Sequence, residues 1–138
     1  MPDAAANELV DFLQEQAGEY LRGAIHYSHD DYEVLFMRAD VADRYSSADL
    51  QTQFEYFRGE NRDQTAAEAF DLGTNHCTVD FYDDAILFHF TQGEDVGTVI
   101  TMDPAAGRDI VQFITRCIAQ LHRNTPQEIG SAPDWIER

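Results

Sequence analysis

Five histidines and two cysteines carry the widest chemical repertoire in this chain of 138 residues. His26 and His29 stand three apart, and Asp30 and Asp31 follow at once. Imidazole and carboxylate donors together suit a divalent cation, but an i, i+3 spacing brings side chains to one face only on a helix. The aromatic and β-branched residues on both sides predict a hairpin, so the run reads as a solvated turn with no metal assigned. His76, Cys77 and His89 fall on two runs that read as neighbouring strands. An imidazole pair with a carboxylate is therefore the most enzyme-like grouping, although His89 alternates with Phe88 and Phe90 and points away from their face. No nucleophile elbow, phosphate loop or H-E-x-x-H run is present, and Gly93-Glu94-Asp95-Val96-Gly97 reads as a turn between strands. Cys77 and Cys117 lie in apolar stretches without a C-x-x-C pairing and read as reduced thiols. The sequence thus assigns no catalytic residue, metal or cofactor.

Nine basic against 26 acidic side chains give a formal charge of −17, and all nine bases are Arg. Such a field repels phosphate backbones and anionic lipid, which excludes sequence-independent nucleic-acid binding and a polybasic membrane anchor. Acidic residues spread from Asp3 to Glu137 with no long run, so they line solvated faces instead of forming an acidic tail. This composition resembles that of cytoplasmic proteins from halophilic archaea, where molar salt shortens the Debye length to about 3 Å and screens the repulsion. It also makes carboxylates the default surface residue, which weakens Asp30-Asp31 and Asp83-Asp84 as acid and base pairs. A 43% hydrophobic and 12% aromatic content supports a packed core. Neither a secretory leader nor a membrane-length apolar run is evident, and the expectation is a cytoplasmic protein.

The elements that must position these residues follow from periodicity. Leu9, Phe12, Leu13, Ala17, Tyr20 and Leu21 recur at helical spacing ahead of Gly23. Two strands around His29-Asp30-Asp31 follow, over 24–28 and 32–38. Asp40 precedes one short helical turn, and Ser46 or Ser47 caps a central helix through Leu50, Phe54 and Phe57 that Gly59 is expected to stop. The stretch 59–73 reads as a loop with one helical turn near Ala66–Phe70. Three strands over 76–82, 85–92 and 97–102 have turns too short for anything but an antiparallel meander. Asp103-Pro104 opens a last helix bearing Ile110, Phe113, Ile114, Cys117, Ile118 and Leu121. The expected architecture is α+β, a five-stranded antiparallel sheet in the order α-β-β-α-β-β-β-α, with one domain over 1–123 and a Pro-containing tail over 124–138.

That order resembles the Roadblock/LC7 branch of the profilin-like group, and much of it is shared by sensory domains of the PAS and GAF type. The Roadblock resemblance implies a 2-1-5-4-3 sheet with the central helix on one face and the terminal helices on the other. It also implies a homodimeric regulatory or scaffold module acting through protein–protein contacts. Its interface would map to Phe54, Tyr56 and Phe57 of the central helix and to Cys77, Val79 and Phe81 of the third strand. Trp135 and Ile136 in the tail form a further candidate contact, to the domain itself or to a protein partner. The alternative expectation is a small-molecule sensory domain holding a ligand between the sheet and the aromatic segment 54–70.

Overall fold

The computed structural model describes residues 4–63, 65–112 and 119. Its elements are α1 (Ala4–Ala17), β1 (Leu21–Ser28), β2 (Asp31–Met37), α2 (Ala39–Ala42), α3 (Ser47–Arg62), α4 (Thr65–Phe70), β3 (Cys77–Phe81), β4 (Ile86–Gly93) and β5 (Val96–Met102). The five strands form one antiparallel sheet ordered β2-β1-β5-β4-β3. The α+β class and the five-stranded antiparallel sheet stand as expected. Most of the last expected helix, with Cys117, and the whole tail, with Trp135 and Ile136, lie outside the described residues.

Alternation along the strands sends two apolar sets to opposite faces. Towards α1, Val10 packs with Leu21, Ala24 and Ile100, and Phe36, Phe88 and Phe90 close around them. Towards α3, Tyr27, Phe54, Phe57 and Val99 form a second cluster with Tyr32 and Leu87. The sheet is therefore sandwiched between α1 and α3. The three strands form the expected antiparallel meander, with Cys77, Val79 and Phe81 paired across from Phe90, Phe88 and Ile86. Among the described residues no helix is long and apolar enough to cross a membrane.

Two boundaries differ from expectation, for local reasons. The first helix stops at Ala17 because Gly18 takes φ +55°, so Tyr20 leaves the helix and Leu21 begins a strand, three residues before the expected start. Gly59 does not end the central helix, which continues to Arg62. Ser46 starts that helix with a reciprocal capping box to Asp49, as its residue type predicts. Its far end is held by tertiary contacts. Arg58 donates to the His29 carbonyl and to Asp30 at 3.1 and 3.0 Å, and Arg62 grips Asp95 at 2.5 and 2.8 Å. Both strand turns at that end of the sheet are thereby tied to α3.

Candidate functional site

The face of the sheet under α3 divides into a sealed half and an open half. In the sealed half, Tyr27 of β1 and His89 of β4 lie on either side of β5, reaching each other over Gly97. A Cβ at Gly97 would sit 2.4 Å from the Tyr27 hydroxyl and 2.8 Å from the Phe90 carbonyl, so only glycine leaves room for the phenol. The Tyr27 hydroxyl lies 2.7 Å from His89 Nε2, and Asn61 of α3 donates to that hydroxyl at 2.8 Å. His89 Nδ1 meets Glu60 Oε1 at 2.5 Å. With Asn61 donating to the phenol oxygen, the Tyr27 proton goes to His89 Nε2, and Nδ1–H then donates to the Glu60 carboxylate. Asn61 also donates to the Gly93 and Val96 carbonyls at 3.2 and 3.1 Å. The chain Asn61–Tyr27–His89–Glu60 satisfies every donor it uses with a neutral imidazole. Burial pushes the Tyr27 phenol up to about 12.

A tyrosine, histidine and carboxylate in series resemble the parts of a nucleophilic relay, but access is missing. His89 has no solvent exposure and Tyr27 has 1%. The relay fastens α3 to the sheet. His89 points away from Phe88 and Phe90, as its alternation predicts, and is covered by α3, while no pair with His76 is formed: His76 is exposed ahead of β3, and the cross-strand neighbour of His89 is Thr78.

The other histidines separate in the same way. His26 is buried on the α1 side, where its Nδ1 meets Thr98 Oγ1 at 3.0 Å and Thr98 donates to Gln92 Oε1. His29 is exposed on the turn with φ 56°. One lies inside the sandwich and the other on its rim. Among the described residues no group of three or more His, Cys, Asp or Glu is placed to hold a metal. Cys77 carries a free, half-buried thiol whose ionisation burial pushes upwards, away from reactivity.

In the open half, α2 and the first turns of α3 leave a groove of about 670 Å³ over β1, β5 and β4. Ligand sites are commonly about 300–1,000 Å³. Ile25, Val41, Phe57, Leu87 and Val99 give it an apolar lining, and Thr101 and Gln53 add hydrogen-bonding groups. Arg22 and Arg44 stand on the β1–α2 side, and Tyr82, Asp83 and Asp84 on the β3–β4 turn. Phe57 links the halves, its ring lying edge-on to His89 at 5.1 Å.

The residues expected at an interface are dispersed. Phe54 and Phe57 are core residues, 3% and 7% exposed. Phe54 stacks on Tyr32 and carries the Arg58 guanidinium over its ring. Tyr56, Val79 and Tyr82 are the exposed hydrophobics nearby, at 58%, 45% and 57%. Cys77 and Phe81 are half-buried, and Phe81 lines the groove. Sequence reasoning missed Arg22 and Arg44. The available signal was an arginine between Leu21 and the apolar run Gly23-Ala24-Ile25, an odd residue for a strand covered on both faces.

The chain belongs to the family described as a domain of unknown function (DUF7522), whose model matches residues 7–122. No curated protein and no solved structure matches it.

Proposed function

We propose that this DUF7522 domain is a non-catalytic sensory module that takes a small organic ligand into the groove between the sheet and α2–α3. The groove itself carries the reading: about 670 Å³ with an apolar lining, Thr101 and Gln53 as hydrogen-bonding groups within it, and charged residues at its two ends. It lies between sheet and helix, as the sensory alternative requires. Among the described residues of the aromatic segment 54–70, however, only Phe57 lines it, and Val41 of α2 and Gln53 of α3 line it as well. The sealed relay supports the non-catalytic part of the reading, since its nucleophile and base do not meet the groove's solvent. The charge of −17 supports a cytoplasmic setting of high salt, where a compact acidic domain is screened. The test is a fragment titration of the whole chain followed by backbone amide shifts. Binders should move Ile25, Leu87, Val99 and Thr101, and Thr101→Phe, which fills the groove, should abolish them. Binders that map elsewhere, or none at all, would overturn the reading.

A second reading, a regulatory homodimer, is favoured by the edge position of β3 and the exposed Val79, Tyr56 and Tyr82 beside it. An unpaired edge strand offers backbone groups to a second copy. Sedimentation in molar KCl should then show a dimer that Val79→Asp or Tyr56→Asp dissociates. A chain that stays monomeric at high concentration contradicts it.

A further inference from the structure

The groove's two ends differ in charge, and the basic end holds an arginine with unused donors. Arg22 projects from β1 with its side chain only 10% exposed. Its one ion-pair partner among the described residues, Asp103, lies 3.5 Å from Nη1, well beyond the roughly 2.7–2.9 Å of a charge-assisted hydrogen bond. Asp103 is already taken: it receives Arg38 Nη1 at 2.8 Å and Nη2 at 3.2 Å. Arg38, Arg58 and Arg62 each meet a carboxylate at 3.0 Å or less. Arg22 does not, although burying a guanidinium demands a partner more strongly than exposing one. No sealed side-chain nitrogen or oxygen lacks a partner among the described residues, so the Arg22 donors that make no hydrogen bond keep some solvent contact, and Arg22 is one of the residues that line the groove. Arg44 stands on the same side, exposed and without an ion pair among the described residues.

The opposite end has the reverse charge. Asp83 and Asp84 lie on the β3–β4 turn, two to three strands from β1, about 10–14 Å at the usual strand spacing. Between the ends run Ile25, Val99 and Leu87. A ligand with an anionic head at Arg22 and an apolar body matches this order, and a second negative charge at its far end would meet two carboxylates.

Resting on the groove reading above, we propose that the ligand is a monocarboxylate with an extended apolar body, its carboxylate held by Arg22 and Arg44. The planar fork of Arg22 matches a carboxylate, which would supply the short partner Asp103 does not. Dicarboxylates of the same length are disfavoured by the acidic β3–β4 turn.

Calorimetric titration of the whole chain, in KCl sufficient to keep it folded, compares octanoate with hexanoate, 1-octanol and octanedioate. Octanoate is expected to bind best, about 15-fold tighter than hexanoate at about fourfold per buried methylene. Octanol and octanedioate should each bind at least tenfold more weakly. Arg22→Gln should weaken octanoate about tenfold and leave octanol unchanged. Because Arg22 is buried, Arg44→Gln at the exposed site provides the same comparison with no burden on folding. If octanol binds as tightly as octanoate, and in the groove, the groove reading survives and the carboxylate proposal falls. Equal binding of octanedioate also overturns the proposal. If none of the four ligands binds, proposal and groove reading fall together.

Discussion

Asn61 Nδ2 lies 2.8 Å from the Tyr27 hydroxyl and joins the last turn of α3 to the middle of the sheet across 34 residues of sequence. The same nitrogen reaches the carbonyls of Gly93 and Val96, at the turn between β4 and β5. One buried amide thus sets where the helix lies, and so which half of the sheet is roofed and which half stays open as a groove.

Removing that amide should be felt as a loss of stability. Asn61→Ala leaves two part-buried carbonyls without their amide donor and weakens the buried phenol's position, and Tyr27→Phe strands His89 Nε2. Each is expected to cost about 1–3 kcal/mol, the penalty of an unsatisfied buried polar group. Urea denaturation measures it. A loss under about 0.5 kcal/mol for both variants would show that the relay does not hold α3.

Two glycines should respond in opposite directions to the same substitution. Gly97→Ala drives a methyl into the Tyr27 phenol and the Phe90 carbonyl, with a loss of about 2 kcal/mol or more. Gly59→Ala, inside α3 with nothing within 4 Å of its Cβ, should gain about 0.5–1 kcal/mol from helix propensity. Thermal melts of the two variants check the sign. A stabilised Gly97→Ala would contradict the slot described for Tyr27.

Alkali should unfold the protein through Tyr27. Below pH 10 the phenol is neutral folded and unfolded, and its contribution is fully present. Between 10 and about 12 the unfolded chain ionises while the buried phenol does not, so stability falls as pH rises through that window. Two pH units correspond to at most about 2.7 kcal/mol. Ultraviolet titration should show a phenol ionising near 12 that is missing in Tyr27→Phe. A wild-type curve complete by pH 11 would contradict it.

Salt should stabilise the fold. With a formal charge of −17, repulsion grows as KCl is withdrawn and the Debye length lengthens from about 3 Å at 1 M to about 10 Å at 0.1 M. The melting temperature should rise steadily with KCl. A melting temperature independent of KCl would count against the high-salt setting.

Much of the architecture was legible in the sequence because it rests on local signals. The period-2 alternation of Ile86, Phe88 and Phe90, the short turns, and the Ser46 cap all act within a few residues. Gly59 shows where local reading stops. Its residue type says helix end, yet Asn61 and Arg62 are held by Tyr27, Gly93, Val96 and Asp95 from strands far away in sequence. The relay was legible only in part: alternation turned His89 away from the face of Phe88 and Phe90. Its partners Tyr27 and Glu60 depend on a strand register and a helix position that no short window contains. Arg44 reads as one more solvated arginine of an acidic chain, whereas Arg22 stands out in the sequence only by its apolar neighbours and in the structure by its burial and its distance to Asp103.

The most direct measurement of the groove as the working site is a crystal structure of the chain grown with octanoate. The account predicts density in the groove with the carboxylate within hydrogen-bonding distance of Arg22 and the chain lying over Val99 and Leu87, beneath Phe57. A groove empty at saturating octanoate, or octanoate bound at another surface, would contradict it.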